Sequence, residues 1–509
     1  MGKYAVEMED IWMVFNKTIV ANKEVNFKVK KGEIHALVGE NGAGKSTLMS
    51  VLFGIYQQTK GTIKINGKEE IISNPVKANR LGIGMVHQHF KMVDIFTLWE
   101  NIALGAEMTT AGEIINSRKI KNKITKIMNQ YNLRIDLDKT TANATVGMKQ
   151  KAEILKILYR DADILVFDEP TAVLTPQEID GLLQVMLELQ KDGKTIILIT
   201  HKMAEIKKVA NSATVIRLGE VIGTFDMKET SVEQLSEAMV GRKVVETKND
   251  YSPRSEEVVL KIENLTMKKV SNTKVIGLEN FSLDVHAGEV VAIAGVEGNG
   301  QQEIAEAITG MSKVYSGNVK IHNHDITYAS IASRYSKWKI SHVPEDRHKH
   351  GLVLDFSVSQ NVVLQDIDNP KFSQAKIINS GAVQAYAQTI IQKFDVRNAD
   401  AGFAIARQLS GGNQQKVILG REITRPTDLL VIYQPTRGLD VGSIEFIHAQ
   451  ILKAKKDNRA ILLISYELSE VLALADRIVV LNAGKKIGEL PGKGAKREEV
   501  GKMMLGRED

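Results

Sequence analysis

The sequence predicts an α/β protein built from two tandem copies of one domain. Three observations carry that expectation: a glycine-rich loop between an apolar strand and a helix, motifs that return at a fixed distance downstream, and apolar strands that read as buried on both faces. The loop is Gly39-Glu40-Asn41-Gly42-Ala43-Gly44-Lys45-Ser46. Ile34-His35-Ala36-Leu37-Val38 before it reads as a buried strand, and Thr47-Leu48-Met49-Ser50-Val51-Leu52 after it as the start of a helix. G-x4-G-K-S in that setting is the P-loop. Its glycines let successive backbone N–H groups turn inward around phosphate oxygens, helped by the positive helix terminus. Lys45 is placed for the β- and γ-phosphates of a nucleotide and Ser46 for Mg²⁺.

Composition bounds the rest. A chain of 509 residues holds more than one domain, and 43% hydrophobic with 25% charged residues is ordinary for a globular protein. The lack of cysteine excludes disulfides, thiolate metal sites and thiol nucleophiles, and fits a cytosolic protein. No apolar run approaches the ~18 residues that span a bilayer. Met1-Gly2-Lys3-Tyr4-Ala5-Val6-Glu7 does not read as a signal peptide, so the expectation is a chain that does not itself cross a membrane. A net charge of +6 is modest at this length and reads as a Lys-rich solvated surface.

The repeat sets the architecture. Lys31-Gly32-Glu33 is echoed by Ala287-Gly288-Glu289, followed by a second apolar strand, Val290-Val291-Ala292-Ile293-Ala294, and a second loop, Gly295-Val296-Glu297-Gly298-Asn299-Gly300-Gln301-Gln302. Further on, Ile164-Leu165-Val166-Phe167-Asp168-Glu169-Pro170-Thr171 pairs with Leu429-Leu430-Val431-Ile432-Tyr433-Gln434-Pro435-Thr436. Ile196–His201 pairs with Ile461–Tyr466 at the same shift, and Ala238–Arg242 with Met503–Arg507. The shift is 256 at the first loop and 265 at the later motifs, and its constancy over those later motifs means two copies of one domain rather than a solenoid. The expected division is a first domain over 1–244, a polar, Pro-containing linker over 245–257 and a second domain over 258–509. Strands such as Ile164–Phe167 and Ile196–Ile199 suit a mostly parallel core. Glu113–Leu133, with helical spacing and many lysines, reads as an inserted helical subdomain.

On these motifs the sequence resembles an ABC-type ATPase with two fused nucleotide-binding domains, and more narrowly the ATP-binding subunits of bacterial sugar and nucleoside importers. The signature Leu409-Ser410-Gly411-Gly412-Asn413-Gln414-Gln415 carries most of that specificity. Gln88 in Val86-His87-Gln88-His89-Phe90 matches the Q-loop, Asp168-Glu169 the Walker B end, and His201 the switch histidine. The resemblance implies that each domain joins its parallel α/β core to a helical subdomain and an antiparallel β portion. It also implies ATP and Mg²⁺ as the bound species. Asp168, Ser46 and Gln88 would serve the metal, Glu169 would polarise the attacking water, His201 would hydrogen-bond the γ-phosphate, and Thr47 would line the loop. Phosphoryl transfer needs positioning and charge neutralisation more than covalent chemistry, so these parts suffice. Phe15 matches an aromatic that stacks on adenine, with core packing as the alternative.

The second half departs from the pattern in an ordered way. Gln301 and Gln302 stand at the P-loop Lys-Ser, Tyr433-Gln434 at Asp-Glu, Tyr466 at the switch histidine and Glu345 at the Q-loop glutamine. The family's head-to-tail pairing implies two composite sites. One joins Lys45, Gln88, Asp168, Glu169 and His201 to Ser410-Gly411-Gly412 and the D-loop Leu439-Asp440, all intact. The other joins the altered second loop to Thr145-Val146-Gly147-Met148 and Leu174-Thr175, where Val146 replaces a glycine that lets backbone approach phosphate. One hydrolytic site and one catalytically silent site are expected.

Gln434-Pro435-Thr436-Arg437-Gly438-Leu439-Asp440-Val441-Gly442 resembles the nucleoside-uptake branch, while the ribose and galactose branch has Asp-Glu before that Pro-Thr. The implied partners are two multi-span permease subunits and a solute-binding lipoprotein. The chain would then be peripheral at the cytoplasmic face of the cell membrane, a single polypeptide would supply both ATPase halves, and no nucleic acid would be involved. The alternatives are a ribose/galactose importer ATPase, a soluble tandem ATPase acting on ribosomes or DNA, and an exporter subunit. Other clusters have plainer readings. His87 and His89 lack acidic or cysteine partners for a metal, Arg347-His348-Lys349-His350 reads as a solvated loop, and Arg118–Lys126 as an amphipathic helix with a solvated basic face, lipid headgroups being a candidate neighbour. Met239 and Met503-Met504 read as core filler.

Overall fold

The computed structural model describes residues 3–16, 18–87, 91–110, 114–171, 176–200, 202–243, 247–269, 275–375, 377–504 and 506. The chain divides into two compact units, Met1–Val244 with Asp440–Gly442, and Val245–Leu439 with Ser443–Asp509.

In the first unit a six-stranded sheet runs in the order Glu220–Asp226, Ser212–Arg217, Ile34–Val38, Thr195–Ile199, Ile164–Asp168, Ile83–Val86. All its neighbours are parallel except the edge hairpin 212–226. Every residue of Ile34–Val38, Ile164–Asp168 and Thr195–Ile199 is buried, which explains runs without polar alternation: helices cover both faces. A four-stranded antiparallel sheet, ordered Ile19–Lys30, Tyr4–Phe15, Lys60–Ile65, Lys68–Glu69, lays Met8, Ile11 and Phe27 against Leu48, Met49 and Leu52 of the helix that follows the P-loop. Each such buried side chain contributes about 1.5–3 kcal/mol.

The expected helical subdomain is present as Leu98–Ala103, Ser117–Gln130 and Val146–Tyr159. Asn116 caps the second helix by accepting the Lys119 N–H at 3.0 Å. Ile120, Ile124 and Met128, at four-residue steps, bury against Ala152 and Leu155. Its lysines lie outward and meet local acids, Lys121 with Asp138 and Lys123 with Asp161 at 2.8 Å.

The second unit repeats the strand order: Ile340–Val343, Leu429–Tyr433, Ala460–Ile464, Val290–Ala294, Arg477–Asn482, Lys485–Pro491, with an antiparallel sheet of Ile276–His286, Val258–Lys268, Ser316–Ile321 and His324–Asp325. The polar stretch before it is tied down. Asn249 is buried, donating from Nδ2 to the Leu474 carbonyl at 3.0 Å and to Asp476 at 2.9 Å, while Lys455 donates to its Oδ1 at 2.7 Å. Arg254 then pairs with Glu289 at 2.8 Å. In both units the motif loops leave the carboxyl ends of the parallel strands, where α/β sheets bind ligands.

Candidate functional site

The first P-loop is shaped by contacts that leave no room for a side chain. Gly44 has φ +101°, and a Cβ there would fall 2.4 Å from the Ala21 carbonyl oxygen. Buried Asn22, on the neighbouring strand, donates to the Gly44 carbonyl at 3.2 Å. Asn41, Gly42 and Ser46 form the exposed rim, whereas Gly39 and Ala43 are buried beneath it, with Glu40, Gly44 and Thr47 half-buried. Lys45, only 6% exposed, donates to the Gly39 and Glu40 carbonyls at 2.8 and 2.9 Å. Burial pulls its ammonium below the ordinary lysine value, opposed by Glu169 and Asp168.

Asp168 ends its strand beside this lysine. Burial, then the neighbouring Glu169 charge, push its carboxyl up to about 6, while Lys45 and a hydrogen bond from Ser46 act the other way. Glu169 follows with φ +46°, its N–H donating to the Ile199 carbonyl at 2.9 Å. The left-handed backbone turns the chain sharply at the end of the strand. Ser46 and Asp168 offer hard oxygen ligands, and two adjacent carboxylates held against one lysine leave negative charge for a cation, so this donor set fits Mg²⁺. Gln88 and His201, like Leu174 and Thr175, lie outside the described residues. The strand ends that lead to the first two are in place: His87 is pushed down to about 4 by burial, and Thr171 and Thr200 both donate to buried Glu205, at 2.9 and 3.4 Å.

Phe15 ends the strand Tyr4–Phe15, packs on the core beneath the P-loop helix, and meets Tyr56 edge to face with centroids 5.2 Å apart. Both expected roles, packing and an aromatic wall, are compatible with that position. Sequence reasoning missed Tyr56 and Asn22; Tyr56 sits just beyond the helix that Lys45 begins, which was the available signal.

The second loop keeps the backbone and changes the chemistry. Gly300 has φ +108°. Gln301, 1% exposed, donates from Nε2 to the Val296 carbonyl at 3.1 Å, as Lys45 does to Glu40, and its Oε1 also accepts the Asn299 N–H at 3.1 Å. A lysine has no acceptor with which to take that N–H. Tyr433 and Tyr466 join hydroxyl to hydroxyl at 2.6 Å, and burial raises both phenols well above their ordinary value. Arg437 donates to Glu345 at 2.6 Å. Burial raises the Glu345 carboxyl, with Glu297 adding to the rise and Arg437 opposing it. Gln434 repeats the geometry of Glu169, with φ +51° and its N–H on the Ile464 carbonyl at 2.8 Å.

The signature is a helix start. Ser410 caps Gly411–Thr424, its Oγ accepting from the Asn413 side chain at 3.0 Å and backbone at 3.4 Å, and Gly411-Gly412 form the first turn. Leu439 is buried, its N–H on the Thr436 carbonyl at 3.0 Å, and Asp440 follows it. In the first unit Thr145 caps Val146–Tyr159 in the same way, with Val146 exposed where Gly411 stands. The Arg347–His350 run is solvated as expected at His348, Lys349 and His350, which are exposed, but it is not a loop. It forms a π-helix, Arg347–Gly351, packed on the signature helix through Gly351 and Ile418.

The ABC transporter family model matches residues 22–172 and 278–437. The nucleoside import ATP-binding protein NupA of Lactococcus lactis subsp. cremoris (strain MG1363) is 47% identical, over 98% of both chains. The guanosine import ATP-binding protein NupO of Bacillus subtilis (strain 168) is 46% identical, over 99% of this chain and 98% of that protein. Among solved structures, an archaeal ribosome recycling factor, aABCE1, in complex with the ribosomal stalk protein aP1, superimposes with a TM-score of 0.64 over 98% of this chain and 92% of its own, at 16% identity. That last likeness is one of fold. The family match over both halves and the full-length identities agree with the paired motif loops: the chain belongs to the ABC transporter family and carries two copies of its ATP-binding domain in one polypeptide.

Proposed function

We propose that this chain is the energy-coupling ATPase of a nucleoside importer. It would dock peripherally, at the cytoplasmic membrane face, on two multi-span permease subunits served by a solute-binding lipoprotein. The nucleoside substrate is supported by the two full-length relatives whose names specify nucleoside or guanosine import. Among the described residues no helix is long and apolar enough to cross a membrane, which agrees with separate permease subunits. The boundaries 1–244, 245–257 and 258–509 remain the proposed domain division.

The observation that carries the mechanism is the asymmetry between the two loops. One holds Lys45, Asp168 and Glu169 together; the other is completed by a neutral Gln301, and Tyr433-Gln434 stand at the positions of Asp168-Glu169. Hydrolysis would therefore occur at one composite site, built from Gly39–Thr47, Asp168 and Glu169 of the first unit with Ser410, Gly411, Gly412 and Asp440 of the second; Gln88 and His201 are assigned by resemblance. Lys45 exchanges loop carbonyls for phosphate oxygens, and Glu169 orients and polarises the attacking water. The Gly411–Thr424 helix start supplies backbone N–H groups to developing charge. Ser46 and Asp168, with Gln88, would hold Mg²⁺, which would supply charge neutralisation to the transferring phosphate.

Steady-state ATPase measurement on the purified chain tests this. Glu169→Gln is expected to lower turnover at least ~10²-fold while leaving ATP binding in place, and Gln434→Ala to leave turnover within about twofold. Unchanged hydrolysis in Glu169→Gln would refute the site. Loss of labelled guanosine uptake on deletion of the chain, with ribose uptake kept, tests the substrate; the reverse pattern would assign a sugar importer.

A further inference from the structure

The π-helix Arg347–Gly351 begins at the signature. A Cβ at Gly411 would fall 2.7 Å from Nη2 of Arg347 and 3.0 Å from its Cζ, so the guanidinium rests on a glycine that no other residue can replace without displacing it. Three contacts pin the turn that carries this arginine. Asp346 accepts the N–H groups of His348 and Lys349 at 2.9 and 3.0 Å, the His348 ring bonds the Gln414 side chain at 3.0 Å, and a Cβ at Gly351 would lie 2.5 Å from Ile418 Cδ1. Single π-turns are rare and recur at functional sites.

The arginine's charge is felt by the neighbouring Asp346 carboxylate but is held in no ion pair among the described residues. Its Nε is buried without a hydrogen-bond partner, and Asp346 directs a carboxylate oxygen at backbone. The halves supply an independent observation. Val343–Arg347 aligns with Val86–Phe90, so the first half has Phe90 where the second has Arg347, and Val146 where the second has Gly411. The cation accompanies only the intact signature.

We propose that Arg347 is the positioning residue of the signature loop, fixing Gly411 and placing a positive charge behind the Ser410-Gly411-Gly412 backbone that meets the transferred phosphoryl group. This rests on the composite site proposed above. Charge spread over the phosphoryl oxygens is the main quantity such a site must stabilise, and a partly buried cation is weakly screened.

The test uses the full chain with Arg347→Ala, Arg347→Met, Arg347→Lys and, as a control, Ser410→Ala. ATP hydrolysis is followed at steady state, and ATP binding in a Glu169→Gln background. Arg347→Ala and Arg347→Met are expected to lower kcat about 10²-fold with ATP affinity within about twofold, and Arg347→Lys to recover about tenfold of the loss. If Ser410→Ala slows hydrolysis while Arg347→Ala and Arg347→Met do not, the Arg347 proposal is overturned and the composite site stands. If Ser410→Ala also has no effect, the composite site itself falls, and the proposal with it. If Arg347→Lys is as slow as Arg347→Met, the arginine acts by packing alone, which also overturns the proposal.

Discussion

His342 lies wholly inside the second unit, on the strand Ile340–Val343, and its Nε2 has no hydrogen-bond partner. Burial pushes its imidazole down to about 3, with the nearby His350 and Arg421 charges acting in the same direction. The folded chain therefore keeps it neutral while the unfolded chain protonates it near 6.5. Its contribution to stability is intact above that value and is lost as pH falls towards 3, reaching about 2 kcal/mol at pH 5. The first half has Met85 at this position. His342→Met is expected to flatten the fall in unfolding free energy between pH 7 and pH 5 by about 2 kcal/mol, read by urea titration at both values; an unchanged slope would count against it. At this scale the sequence was legible where chemistry demands a residue type. Lys45, Asp168, Glu169 and Ser410 could be named because few side chains serve phosphate, metal and helix cap. Arg347, Asn22 and Tyr56 could not, because their roles come from contacts with residues distant in the chain, and a basic run gives no sign that it packs.

The two loop-and-helix elements share a backbone and differ in what it costs to change them. In Gly44→Ala the added carbon meets the rigid Ala21 carbonyl at a positive φ, so the cradle must deform; ATP affinity is expected to fall at least ~10²-fold. In Gly300→Ala, also at a positive φ, the nearest atom is the Leu278 Cδ1 at 2.9 Å, the end of a flexible side chain. The Gly277 carbonyl oxygen follows at 3.1 Å, a looser approach than the 2.4 Å at Gly44. The expectation there is about 1–2 kcal/mol of lost stability with ATP turnover kept, checked by thermal melting beside an ATPase assay; lost turnover would contradict the assignment of the site. Strands and helices were the most readable elements. The largely apolar runs 34–38 and 164–168, broken only by His35 and the terminal Asp168, allow few other structures, and the lysine-rich helix showed its buried face at Ile120, Ile124 and Met128. The π-helix was unreadable, since nothing in Arg347–Gly351 distinguishes its ring of hydrogen bonds from an ordinary turn.

For the molecule as a whole, duplication was legible from spacing alone, and both units bear it out in the same strand order with different side chains at the loops. The polar stretch after the first domain was less so. Composition marks it as a connection, yet Asn249 is built into the second unit through the Leu474 carbonyl, Asp476 and Lys455. Asn249→Leu leaves that carbonyl without its donor and is expected to cost about 1–3 kcal/mol. Hydrogen exchange should show protection lost around 471–476 and kept in Ile164–Asp168; equal loss in both would mean the residue does not belong to the second unit's own stability.

Gln301 gives the duplication a history. By meeting one carbonyl and one N–H of its loop, a neutral side chain holds the turn without the charge that Lys45 carries in the first loop. Inheritance then treats the two loops differently. With hydrolysis confined to the first site, as proposed above, position 45 would have to keep a cation, while position 301 would need only a shape that closes two hydrogen bonds. Lineages descending from this chain can therefore diverge quickly in the second loop while the first stays fixed, and the unequal pace of change would be a record of which half still works for its living.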